Sequence, residues 1–167
     1  MKTYRFDSVT RVPADCLFAT IADIRHWPAW DAELESTEHD GSLAGGSRFW
    51  LKPRGGPRVR MEIVDATAPG RFVDLCHLPL AKMRTSHVFE PVPEGTRLRI
   101  TIEVWGPLGF LWDRIVARKL ADGLAAQAAA FVAHAAARPS TPVQDVMNAD
   151  RMPPSAWPAG SSPARTG

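Results

Sequence analysis

Residues 97–137 read RLRITIEVWGPLGFLWDRIVARKLADGLAAQAAAFVAHAAA, and two periods meet in them. In the first nine residues Leu98, Ile100, Ile102 and Val104 alternate with Arg97, Arg99, Thr101 and Glu103, which is a strand with one buried side. After Pro107 the spacing lengthens to three and four. Trp112, Val116, Leu120, Leu124, Ala128 and Phe131 form the apolar stripe of a helix expected over about 109–137, closed before Pro139. Gly123 in mid-helix marks a place for close packing. Such a stripe must be buried against another layer, so the segment asks for a sheet.

The upstream chain supplies one. Tyr4, Phe6, Ser8, Thr10 and Val12 alternate with Arg5, Asp7, Val9 and Arg11, a first strand. VPADCLFATIADIRHWPAWD, residues 12–31, reads as two short helices, with Pro13 at the start and Leu17, Phe18 and Ile21 as an apolar face. Further strands are expected near 33–39, 47–52, 58–66, 71–78, 83–90 and 97–105, separated by DGSLAGG, PRGGP, TAPG, LPLA and PVPEGT. Short loops between consecutive strands imply an antiparallel meander. The expected fold is α+β: six or seven antiparallel strands curved around one long C-terminal helix, with two short helices after the first strand.

The chain has 167 residues and a formal net charge of +2, enough for one core and too little charge to suggest nucleic acid. A domain is expected over 1–138. Residues 139–167, rich in Pro, Ser, Ala and Gly without period, are expected to be disordered, with Trp157 a lone aromatic among them. No apolar run approaches the roughly 20 residues that span a bilayer, and MKTYRFDSVT alternates unlike a signal peptide. Two cysteines, Cys16 and Cys76, make no disulfide framework, so a reduced, cytoplasmic protein is the simplest expectation.

Polar groups stand where a core is expected in DLCHLPLAKMRTSHVFE, residues 74–90. Pairing Glu90 with Arg97 across PVPEGT sets Phe89 opposite Leu98 and His87 opposite Ile100, so Met83, Thr85, His87 and Phe89 point inward. RVRMEIV, residues 58–64, puts Val59, Met61 and Ile63 inside, and closing DATAPG pairs Ile63 with Phe72 and Met61 with Asp74. With Leu78 opposite Met83, Cys76 faces Thr85 and Asp74 faces His87, Cβ atoms about 5 Å apart. His77 is expected outward, near Arg84. A carboxylate on an apolar face is costly unless paired or wet. Either Asp74 and His87 satisfy each other within a core, or they anchor a pocket. Trp27, Trp30, Trp105 and Trp112 are expected around its mouth.

The wording of three segments also carries a resemblance. VPADCLFATIAD and DIRHWPAWD, with its Asp-x-x-x-x-Trp-Pro-x-Trp pattern, and SHVFEPVPEGTRLRITIEVWGPLG, with its His-x-Phe-Glu-Pro, Gly-Thr-Arg and Gly-Pro-Leu pattern, resemble the SRPBCC (START-like) superfamily, especially its polyketide cyclase/dehydrase branch. The likeness covers about residues 3–137. It implies a helix-grip fold around an apolar cavity for a small hydrophobic molecule, such as a polyketide, lipid or aromatic metabolite. Residues expected to line that cavity are Tyr4, Phe6, Trp27, Trp30, Met61, Phe72, Cys76, Thr85, Phe89, Ile100, Ile102, Trp112, Val116 and Leu120, with Ser8 as a further hydrogen-bond partner.

Two functions fit. One is binding or carriage of the ligand. The other is cyclase or dehydratase chemistry, with His87 as general acid/base and Asp74 fixing its tautomer and stabilising the imidazolium. A third, an interaction module using the outer sheet face or the tail, has less behind it. No cofactor is expected and no metal, because zinc asks for three or four clustered ligands and Cys76 and His77 alternate to opposite faces. His26 and His39 are expected on the surface, His134 at the helix C-terminus, and Cys16 as a small buried apolar group. Ser86 neighbours His87 but alternates outward, and no nucleophile elbow (GxSxG) is present. GGSRF and RGGPR are turns without phosphate-binding spacing. A homodimer stays open.

Overall fold

The computed structural model describes residues 1–138. Expectations for 139–167, Trp157 included, lie outside the described residues. The order is β1 (Lys2–Thr10), α1 (Ala14–Ala22), a 3-10 segment (Ile24–Ala29), β2 (Leu34–Glu38), β3 (Arg48–Pro53), β4 (Val59–Thr67), β5 (Arg71–Leu78), β6 (Ala81–Val92) and β7 (Gly95–Trp105). One continuous helix, Gly109–Ala137, follows. It comprises α2 (Gly109–Trp112), a π segment (Asp113–Ala117) and α3 (Arg118–Ala137). The strands form one seven-stranded antiparallel sheet in the order β1-β7-β6-β5-β4-β3-β2. This is the helix-grip architecture that the resemblance implied, with the sheet that the stripe of the C-terminal helix asked for.

The alternation of β7 fixes the inside as expected. Leu98, Ile100, Ile102 and Val104 are buried, each no more than 2% exposed. Leu124, Ala128, Phe131 and Ala135 of α3 are buried with them, and Leu17, Phe18 and Ile21 of α1 close one end. Burying a Phe or Leu side chain is worth about 1.5–3 kcal/mol, so these positions dominate the fold. By length and composition the long helix could cross a bilayer, a test that an alanine-rich grip helix also passes. Outward residues form ion pairs such as Arg84–Glu103 across β6 and β7 and Arg58–Glu38 at the far edge, and Arg84 also lies over the Trp105 ring.

The β6–β7 register is the expected one: Glu90 faces Arg97, Phe89 faces Leu98 and His87 faces Ile100. Two other registers differ from expectation. The β5–β6 turn holds only Pro79 and Leu80, so Leu78 faces Ala81, not Met83, and every pair moves by two residues. Cys76 therefore faces Met83, Asp74 faces Thr85 and Phe72 faces His87. Between β4 and β5, Met61 faces Cys76 and Ile63 faces Asp74, because the turn is tighter and the register shifts between Ile63 and Asp65. An inserted residue of this kind restores the parity that the turn alone would have reversed. Both errors are even, so every side chain keeps its expected face.

The β6–β7 turn leaves no room for a side chain at its end. Gly95 has φ +138°, and a Cβ there would sit 2.2 Å from the carbonyl oxygen of Thr10. Gly95→Ala is expected to cost roughly 2–4 kcal/mol through overpacking and backbone strain. Urea unfolding checks this: an unchanged midpoint would show that β1 and the turn can part freely.

Candidate functional site

The register sets the inner face out in rows. One runs Tyr4, Ile102, Thr85, Asp74, Ile63, and the next Phe6, Ile100, His87, Phe72. Asp74 and His87 thus share the face but are diagonal neighbours, one row apart, and not the directly opposed pair that was expected. Such diagonal positions stand about 7–8 Å apart in Cα, so long side chains can still meet. No ion pair or hydrogen bond joins the two among the described residues.

Their surroundings act on them separately. Burial alone raises the Asp74 carboxyl to about 7, with no donor or cation to offset it. Burial lowers the His87 imidazole to about 4. Between those values Asp74 is protonated and His87 neutral, so the expected imidazolium–carboxylate pair does not form. The Cys76 thiol, against the same carboxyl, is pushed up to about 12 by burial and then by the Asp74 charge. A thiol held there is no nucleophile near neutral pH.

Two buried polar atoms have no hydrogen-bond partner among the described residues: His87 Nδ1 and Trp30 Nε1. Buried polar groups are nearly always satisfied, so each requires an explanation. Aromatic rings pack around Trp30. Trp30 packs edge-on against Phe131 at 5.1 Å, Phe131 stacks on Phe89 at 6.3 Å, and Trp27 meets Phe72 and Phe49 at 6.1 and 5.4 Å. The Trp27 indole N–H is satisfied by the Ile21 carbonyl.

Of the residues expected at the cavity, Met61, Phe72, Cys76, Phe89, Ile100, Ile102 and Trp27 are buried core. Tyr4, Phe6, Ser8, Thr85, His87, Trp30, Trp112, Val116 and Leu120 are only half-buried. The half-buried strand residues lie mainly in the middle rows of the inner face, where Tyr4 meets Asp113 of the long helix. The tryptophans do not share one mouth. Trp27 and Trp30 adjoin at 6.2 Å, Trp105 alternates to the outer face beneath Arg84, and Trp112 bonds the Pro79 carbonyl at the opposite end of the helix. A separate groove of about 290 Å³, lined by Arg11, Val12, Cys16, Ala135 and Arg138 among others, contains none of the expected site residues.

Other histidines depart in part from expectation. His77 points outward, but to Glu62 at 2.9 Å and not to Arg84. The His39 ring is not on the surface: its side chain is 3% exposed, lies edge-on to Phe49 and bonds the Ser42 carbonyl through Nε2. His26 is exposed, beside Asp23. Cys16 is half-exposed beside the groove.

The sequence reading missed two anchors. Asp31 is buried, caps the Glu33 backbone N–H and accepts from Gln127 of α3, tying the Trp-Pro-x-Trp loop to the grip helix. Burial raises its carboxyl, against those two hydrogen bonds. Asp113 is also buried and accepts from the Tyr4 hydroxyl at 2.7 Å, with Arg118 at 3.6 Å. Single aspartates beside Trp30 and Trp112 carried no signal that told burial from exposure.

Residues 5–136 match the family described as polyketide cyclase / dehydrase and lipid transport. The chain belongs to this family. This polyketide cyclase/dehydrase and lipid transport member has the SRPBCC helix-grip fold, and solved structures share it. The di-domain ARO/CYC StfQ of the steffimycin biosynthetic pathway is 17% identical with a TM-score of 0.62, covering 80% of this chain and 49% of that one. Ara h 8.0201 is 16% identical with a TM-score of 0.64, covering 82% and 99%. TTHA0849 from Thermus thermophilus is 17% identical with a TM-score of 0.59, covering 89% and 99%. At such identities the likeness is one of fold. No curated protein matches this family member in sequence.

Proposed function

We propose that the chain binds a small, mostly apolar, ring-containing molecule between the inner face of the sheet and the long helix. The observation that carries this is His87: it lies in mid-sheet on the inner face, mostly but not fully buried, and its Nδ1 has no hydrogen-bond partner among the described residues. A ligand with carbonyl or hydroxyl groups supplies what is missing. Neutral His87 can accept from a hydroxyl or enol, and protonated Asp74 can donate to a carbonyl. Thr85 neighbours both as either donor or acceptor, while the half-buried Phe6, Val116 and Leu120 supply the apolar walls.

A catalytic reading is favoured by one observation, the Asp74 carboxyl at about 7. A general acid/base works best with its pKa near the working pH. Asp74 meets that condition and His87, at about 4, does not. In a cyclase or dehydratase built on this site Asp74 would move the proton, and His87 would orient the substrate. That exchanges the roles expected from the sequence.

The test is mass spectrometry of small molecules carried through native purification, on the wild type and on His87→Gln. A bound aromatic or acyl species is expected, with affinity falling no more than about tenfold in the variant. If the site is catalytic, Asp74→Asn instead removes about two to four orders of magnitude of turnover with little loss of affinity. A protein that is empty and also takes up no hydrophobic dye would sink the binding reading.

A further inference from the structure

Four of the large apolar side chains left exposed gather at one end of the molecule: Leu80 at 67%, Phe110 at 73%, Leu111 at 38% and Ile115 at 55%. Leu80 is the tip of the β5–β6 turn, and the other three lie on the first turns of the long helix. The two parts are fastened together. The Leu108 N–H donates to the Leu80 carbonyl at 3.1 Å, and the Trp112 indole N–H donates to the Pro79 carbonyl at 2.9 Å. Leu80 has φ +53°, a left-handed conformation rare for leucine. A leucine so exposed, in a conformation that leucine rarely adopts, buries little within the chain itself.

The charges left unpaired at this end are of one sign. Lys2 and Lys82 reach it from β1 and β6, as the pairings Lys2–Val104 and Lys82–Trp105 show, and Arg114 stands one turn beyond Phe110. All three are exposed and enter none of the ion pairs formed among the described residues. The acidic groups nearby are occupied: Glu103 by Arg84, and Asp113, buried, by Tyr4 and Arg118. Farther along α3, Lys119 reaches Glu33. Apolar side chains among unpaired cations, with an indole at their base, are the composition of a helix that lies in a lipid interface. An ordinary protein-binding core is instead poor in lysine.

We propose that this end, Leu80 with Phe110, Leu111 and Ile115, docks on an anionic phospholipid bilayer, the apolar tips entering the headgroup layer and Lys2, Lys82 and Arg114 meeting lipid phosphates. The inference is independent of what the inner face binds.

The test is co-sedimentation of the full chain with vesicles of phosphatidylcholine mixed with phosphatidylserine, against phosphatidylcholine alone. Binding to the mixed vesicles at low salt is expected, with release as salt is raised. Phe110→Ser with Ile115→Ser should weaken it at least about tenfold and leave the unfolding temperature unchanged, since neither side chain is core. Lys82→Gln and Arg114→Gln should each weaken it by about fivefold. Absence of binding to mixed vesicles, equal binding to phosphatidylcholine alone, or indifference to the Phe110 and Ile115 substitutions would overturn the proposal. So would a dimer in light scattering that the same double substitution dissolves, since a second copy would then be the occupant.

Discussion

Asp74→Asn is expected to stabilise the protein, and by more as the pH rises. In the folded chain the carboxyl holds its proton up to about 7, whereas in the unfolded chain it loses it near 3.8. Across that window the native state binds the extra proton, so wild-type stability falls with rising pH and the whole penalty is in place above about 7. Asparagine has nothing to ionise. The variant should match the wild type below about pH 4 and exceed it by roughly 2–4 kcal/mol near pH 9. His87 works in the other direction. Its folded value of about 4 lies below the ordinary 6.5, so stability is lost as pH falls through that interval. In the wild type the two trends nearly cancel between 4 and 6.5, and in Asp74→Asn the His87 trend stands alone. Urea unfolding as a function of pH measures both. A gain independent of pH would mean that Asp74 is hydrated in the folded protein.

Phe72→Ala is expected to destabilise by about 3–5 kcal/mol, a large part of the 5–15 kcal/mol available to a domain of this size. The ring is fully buried, sits opposite His87 and meets Trp27 edge-on. Losing it opens a void beside the unpartnered imidazole, in a wall that Trp27 and Phe49 hold in place. A small aromatic such as indole should recover part of the loss by filling that void, as apolar cavities admit apolar guests. Chemical denaturation with and without indole reads both effects. A cost below about 1 kcal/mol would show that the neighbouring aromatics collapse into the space, and the ring would then be filler.

Faces were legible in the sequence and registers only partly. The β6–β7 register came out as expected because Glu-Gly-Thr closes a conventional hairpin and because the alternation of β7 is unbroken. Leu80 defeated the next one. A leucine in a left-handed turn carries none of the Gly, Asn or Asp chemistry by which two-residue turns are recognised, so a four-residue loop looked equally good. The irregularity between Ile63 and Asp65 has no sequence signature either. Because both displacements are even, Asp74, Thr85 and His87 stayed on the inner face while their pairing changed. The ionisation states were beyond reach, since they depend on how completely neighbours such as Phe72 exclude water. The burial of His39 and Asp113 depended on contacts with Phe49 and Tyr4, which adjacency along the chain does not suggest.

The place of β1 at the sheet edge has a kinetic consequence. The first strand pairs only with the seventh, so Tyr4 and Phe6 meet Ile102 and Ile100 across nearly the whole length of the domain. Closing a loop of that length is an entropic cost met before any contact rewards it. The six strands β2 to β7 can zip hairpin by hairpin, but the wall contributed by β1 must await β7, and the Tyr4–Asp113 bond that holds down the start of the long helix must await the residues after it. Until then one side of the inner face stays open to solvent, and the folding intermediate is a trough rather than a closed grip.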